Sequence, residues 1–272
     1  TYDANGNLLS DGKYTYSWTK GSLLEKVTGD GLEAVYTYDA SGIRTSKKVN
    51  GITTEYLTAG GSVLSEKKNG VWQHYLYDGS GQLMAIRYKG ADYYYVRNGL
   101  MTITGLVDAN GASVVNYFYD SWGNMLNITG SMAASLGKDN PYRFKGYYYD
   151  EETGMYYLKS RYYQPEICRF ISADVYITTE LNTNGSNMYS YCKNNPVMLM
   201  DSDGSFAILA IAGAFFAKKG TEMLVGAVVN VVTTGLAASI VGEKYTLKDA
   251  AMAALTGAVG ASGPAGPLAA GL

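Results

Sequence analysis

The residues able to do chemistry in this chain are unevenly stocked: 26 tyrosines and two cysteines, Cys168 and Cys192, but a single histidine, His74. One histidine excludes a histidine-based metal cluster and leaves little for general acid-base work on RNA. Two cysteines are too few for a four-cysteine zinc site or a disulfide scaffold, which leaves either a pair of buried thiols or one bridge. Cys-x-x-Cys, His-x-Glu and Gly-x-Ser-x-Gly are all missing, so neither a cofactor nor a metal is expected. Tyrosine is different, because its ring stacks on sugars or on unpaired bases, yet also packs against other tyrosines. The elements that carry the rings must decide between platform and packing.

Those elements recur. Tyr-rich strand starts fall at Tyr16, Tyr38, Tyr56, Tyr77, Tyr95 and Tyr119, a loose period of about 20 residues that marks a repeat array. YTYDASGIRTSKKV (36–49), YLYDGSGQLMAIRY (75–88) and YFYDSWGNML (117–126) share aromatic-x-Tyr-Asp-x-x-Gly followed by an apolar or basic strand. Tyr36/Tyr38, Tyr75/Tyr77, Tyr93/Tyr95 and Tyr117/Tyr119 lie two apart, so each pair projects from one strand face. The following Asp bonds backbone two residues on, and the Gly accepts positive φ. Asn5-Gly6, Asp11-Gly12, Asn50-Gly51, Asn69-Gly70, Asn98-Gly99 and Asn110-Gly111 add further turn signals between strand-like runs. The prediction is a mainly β fold, an array of antiparallel hairpins over 1–140 forming a twisted sheet or partial shell. Regular spacing favours tyrosines that pair across neighbouring hairpins over a binding platform. With 47% hydrophobic and 17% charged residues and a net charge of -2, the chain can bury a core but has no footprint for nucleic acid or an anionic membrane.

From residue 141 the pattern changes. Tyr142-Arg143-Phe144-x-Gly146 leads to Tyr149-Asp150-x-x-Thr153-Gly154-x-Tyr156-Tyr157, then Ser160-Arg161-Tyr162-Tyr163 and Arg169-Phe170-Ile171. Asn187-x-Tyr189-x-Tyr191 and Asn194-Asn195-Pro196-Val197 complete it. This order over 141–204 resembles the RHS repeat-associated core of YD-repeat proteins, polymorphic-toxin carriers similar to bacterial wall-associated contact-dependent inhibition proteins. The resemblance implies a shell that encloses and presents a toxin segment, with an immunity protein as a further partner and a secreted or cell-surface location. One departure is Ile167-Cys168, where the family carries Thr-Gly; losing that glycine is expected to reshape the turn before Arg169.

The resemblance also implies self-cleavage. Family cores end in two Asp-Pro-x-Gly elements whose aspartates are implicated in releasing the following segment. The corresponding residues are Asp174 and Asp201, with Asp203 beside the second. Two adjacent carboxylates share a proton, so one activates water while the other protonates the leaving group, and no cofactor is needed. Both elements are altered: Ser202 replaces proline in the second, and the first lacks proline and glycine, with Ala173 where many cleaving relatives have arginine. Arg161 and Arg169 are the candidates to supply that charge in space. Scission is expected shortly after Gly204; the alternative is that Asp174 and Asp201 only cap turns.

Aromatic repeats stop at Ser205. Ser205 to Ala217 and Met223 to Gly242 are almost wholly apolar, long enough in the second case to span a bilayer. Membrane contact by 205–242 is one reading; buried helices, favoured by Asn230, Thr233, Thr234 and Ser239, are the other. Residues 205–272 are thus predicted as an apolar helical segment preceding a toxin domain that is expected to be absent or truncated. The start, Thr1-Tyr2-Asp3, has neither a basic nor an apolar run, which fits a beginning inside a repeat. Two other functions remain open, a cell-surface adhesion or glycan-binding repeat protein and an inactive fragment.

Overall fold

The computed structural model describes residues 1–174 and 187–205, together with the backbone of 207–209. Residues 1–78 and 83–211 form one unit, and 79–82 group with 212–272 in a second.

Twelve strands pair in chain order as one antiparallel sheet. They are β1 (Thr15–Thr19), β2 (Leu23–Gly29), β3 (Leu32–Tyr38), β4 (Arg44–Val49), β5 (Ile52–Ala59) and β6 (Ser62–Lys68). The other six are β7 (Val71–Tyr77), β8 (Leu83–Tyr88), β9 (Ala91–Arg97), β10 (Ile103–Val107), β11 (Ser113–Tyr119) and β12 (Met125–Thr129). A second sheet follows, β13 (Tyr148–Asp150), β14 (Met155–Tyr157), β15 (Tyr162–Gln164) and β16 (Arg169–Phe170), and then a hairpin of β17 (Leu199–Asp201) and β18 (Ala207–Leu209). The mainly β, antiparallel expectation holds. Residues 207–209 form a strand where the apolar run suggested helix, because pairing Asp201 with Ala207 continues the hairpin register. The helices and membrane contact expected beyond them lie outside the described residues.

Turn chemistry explains the register. Four of the five even-to-odd connections within this sheet are two-residue loops with both residues at positive φ, Asp30-Gly31, Asn50-Gly51, Asn69-Gly70 and Lys89-Gly90, the mirror-image turn that suits strand twist. Asp-x-x-Gly turns join β3 to β4, β10 to β11 and β11 to β12. Asp39 Oδ1, for instance, accepts from the amides of Ser41 and Ile43 at 2.8 and 2.9 Å, and Asp108 and Asp120 repeat the arrangement. Three of the predicted Asn-Gly signals belong to these longer turns. Gly6 closes the turn of Asp3, Gly111 closes that of Asp108, and Asn98 itself plays the Asp role, with Met101 at φ 63 in the glycine position.

The tyrosine pairs have unlike duties. The first member of each, Tyr36, Tyr75 or Tyr117, is buried, Tyr36 against the second sheet and Tyr75 and Tyr117 against residues 137–143 that lead into it. The second reaches back to a backbone carbonyl of the preceding strand: Tyr38 to Leu24 at 2.7 Å, Tyr77 to Val63 at 2.8 Å, Tyr119 to Ile103 at 3.1 Å. In β9 the pair is Tyr95 and Arg97 rather than Tyr93 and Tyr95, since Arg97 donates to the Leu83 carbonyl. Packing thus wins over platform, though not between hairpins. Repeat tyrosines sit two strands apart, about 9–10 Å, and instead they meet the second sheet and the segment leading into it: Tyr36 on Tyr162, Tyr56 on Tyr148, Tyr75 on Tyr142, with centroids 5.7, 5.7 and 4.9 Å apart.

A charge cluster joins the two layers. Arg44 and Lys47 on β4 both reach Asp150 on β13, Arg44 through two bonds of 2.5 and 3.1 Å and Lys47 through one of 2.9 Å. Lys47 also holds Glu152 at 2.9 Å. The Arg44 guanidinium is ringed by Tyr36, Tyr56, Tyr148 and Tyr157 at 4.4–5.4 Å. Burial opposes ionisation of Asp150, but the two cations outweigh it and hold the carboxyl below the usual range. Nearby, burial raises Glu66, which accepts from Tyr148 Oη at 2.7 Å.

The first ten residues turn toward the second sheet. The Leu8 amide donates to Ile171 O, and Gly6 O accepts from the Ala173 amide and from Tyr189 Oη.

Candidate functional site

Asp174 comes from one segment and Asp201 and Asp203 from another, the end of β17 and its turn, and what joins Asp174 to Asp201 is Arg161, on the short link between β14 and β15. Its Nη2 lies 2.9 Å from Asp174 Oδ2 and 3.6 Å from Asp201 Oδ2. Nε donates to Gly204 O, and Nη1 donates to Met188 O at 3.2 Å. Phe170 lies flat against the guanidinium carbon at 3.7 Å. Of the two arginines expected to serve this position, Arg161 does so.

Each acid is fixed locally. Asp201 reuses the repeat turn: Oδ1 accepts the Gly204 and Ser205 amides at 2.8 and 3.1 Å, leaving Oδ2 toward Arg161. Its own amide donates to Tyr147 Oη at 3.1 Å. Lys145, buried and at φ 50, donates to the carbonyls of Pro196 and Leu199 and so seats β17. Asp174 follows Ala173, whose amide is tied to Gly6, and donates its own amide to Met188 O at 2.9 Å. Asp203 Oδ1 accepts the Ser205 amide at 3.0 Å, while its carbonyl receives Ser160 Oγ at 2.6 Å. Sequence reasoning missed Tyr147, Lys145, Ser160 and Ser205; only the placement of Ser160 beside Arg161 hinted at any of them.

Burial pushes Asp201 above the usual carboxylate range, Asp203 adds to the rise, and Arg161 opposes it. Arg161 is itself pulled down by burial, with Asp174 and Asp201 holding it charged. The arrangement therefore favours the acid form of Asp201 more than water would, while a cation polarises the Gly204 carbonyl.

Gly204 adopts φ 80, and an added Cβ would lie 2.7 Å from Ser160 Oγ and 3.1 Å from both Arg161 N and Leu158 O. Gly204→Ala is expected to destabilise the fold by roughly 2 kcal/mol or more, through left-handed strain plus displaced backbone; a lowered urea midpoint checks it.

The thiols are unbridged, Cys192 buried and Cys168 half-buried. Burial pushes Cys192 up to about 11. Cys168 itself takes φ 58 after the turn at Pro165–Ile167, so the turn before Arg169 keeps a left-handed residue despite the lost glycine.

A family model described as Teneurin YD-shell matches residues 1–197. Over 227 residues, 81% of this chain, the sequence is 40% identical to the tRNA3(Ser)-specific nuclease WapA of Bacillus spizizenii. Toxin protein Tse5 of Pseudomonas aeruginosa is 42% identical over 79 residues, 29% of this chain. The matches span 10% and 6% of those proteins, so the chain corresponds to a small part of each. Among solved structures, one titled "Crystal Structure of TcdB2-TccC3-Cdc42" superposes with a TM-score of 0.62 at 20% identity, over 79% of this chain and 11% of that one. That likeness concerns the fold.

Proposed function

The chain belongs to the teneurin YD-shell family, and from that premise we propose that it is part of a toxin-enclosing shell that frees its following segment by one self-cleavage. Residues 1–140 act as repeat wall, 141–204 as the core that ends it, and the segment after Gly204 as what is released. The named relatives include a tRNA nuclease and a toxin, which supports a toxin-related role outside the producing cell. The twelve-stranded sheet supports a partial shell, its buried tyrosine face packed on the second sheet. Competition between bacteria, an immunity partner and contact with cell-envelope glycans belong to the same reading.

One observation carries the cleavage: a single buried guanidinium touches Asp174, Asp201 and the Gly204 carbonyl. Asp201 serves as the acid that protonates the leaving nitrogen, and Asp174 keeps Arg161 charged and aimed. Intact-mass measurement of the purified chain tests this. A fragment ending near Gly204 is expected from the wild type and is lost in Asp201→Asn and Asp174→Asn. A wild-type chain that stays whole removes the self-cleavage reading.

A further inference from the structure

The peptide between Gly204 and Ser205 is held on every polar side. Its carbonyl oxygen takes the buried Arg161 Nε-H. Its N-H is shared between Asp201 Oδ1 at 3.1 Å and Asp203 Oδ1 at 3.0 Å. Ser205 Oγ lies 3.3 Å from Ser160 Oγ, and Ser160 Oγ also abuts the Gly204 Cα, so close that a Cβ there would be 2.7 Å away. The serine that follows the carbonyl is thus bound beside it, and the position an oxyanion would take already has a cationic donor.

We propose that scission begins as an N-to-O acyl shift at Gly204–Ser205, with Ser205 Oγ as nucleophile and Asp203 as proton carrier. This deepens the self-cleavage reading and rests on it. Ser205 Oγ bonds to the Gly204 carbonyl carbon and its proton passes to the Asp203 carboxylate. Arg161 holds the oxyanion. As the C-N bond breaks, Asp201 gives a proton to the Ser205 nitrogen and the proton held on Asp203 restores it, leaving an ester and a free amine. Water then attacks the ester, giving the Gly204 carboxylate and the Ser205 hydroxyl, with one proton released to solvent. Asp201, beside the same nitrogen, steadies the amine as it forms.

The test uses the full chain, incubated with and without hydroxylamine and read by intact mass and by sequencing of both fragments. The expected result is a cut between Gly204 and Ser205, with a Gly204 hydroxamate in hydroxylamine. Ser205→Ala loses the cut, and Ser205→Cys restores it and is accelerated by added thiol. A cut at another bond, or Ser205→Ala cutting at the wild-type rate, overturns the acyl shift and leaves self-cleavage by water standing. An uncut wild type overturns both.

Discussion

Asp150→Asn is expected to lower the unfolding free energy by about 3–5 kcal/mol at neutral pH, the cost of leaving buried cations without their counter-charge. Arg44 and Lys47 both rest on this carboxylate, and only Lys47 has a second acid, Glu152. The tyrosines around Arg44 supply some attraction through their ring faces, but no negative charge. Urea unfolding checks it: the midpoint falls while the slope is unchanged. Replacing the whole cluster, Arg44→Met with Lys47→Met, Asp150→Leu and Glu152→Gln, is expected to recover most of the loss, because none of its charges then remains buried. The pH dependence follows from the directions of shift. Asp150 is held below its ordinary value of 3.8, so its stabilisation is present above that pH and disappears as pH falls through the lower folded value. Glu66 is raised above 4.5 by burial, so stability falls instead as pH rises from there through its folded value. The two shoulders, one below 3.8 and one beginning at 4.5, should therefore disappear separately, the first in Asp150→Asn and the second in Glu66→Gln.

Arg161→Lys is expected to slow scission by roughly 10²- to 10³-fold, the scale seen when one donor to a developing oxyanion is removed. Lysine keeps the charge but has no fork to reach Gly204 O, Asp174, Asp201 and Met188 O together. Circular dichroism should show the fold retained, which separates lost chemistry from lost structure. Rate against pH gives the second readout. Arg161 lowers the Asp201 pKa against the rise caused by burial; a more distant ammonium lowers it less, so the alkaline limb moves to higher pH. A variant that cuts at the wild-type rate would exclude Arg161 from the chemistry.

What the sequence revealed of this structure depended on how local the cause was. Asn50-Gly51 and Asn69-Gly70 announced their turns because two residues at positive φ have a strong residue preference. Lys89-Gly90 forms the same turn with no such signal, since the register of β8 and β9 imposes it. Arg97 standing in for a tyrosine, and Met101 for a glycine, were invisible because only the shared carbonyl and the shared backbone angle define those positions. Asp150 follows a tyrosine as the turn aspartates do, yet its side chain turns inward to cations more than 100 residues earlier. At the candidate site, Asp201 and Gly204 were legible from their motif and Arg161 from the need for a cation. Ser160 and Ser205 were not, because their meaning comes from a loop brought 45 residues across the sequence.

The bond from Tyr189 Oη to Gly6 O joins residues 183 apart. Contacts that distant close late, since most of the chain must be ordered before they can form. During synthesis the turn at residues 3–7 lacks these partners until residue 189 has appeared. The contacts of Gly6 with Ala173 and Tyr189, which flank Asp174, therefore form late, so the proposed scission would wait for residue 189.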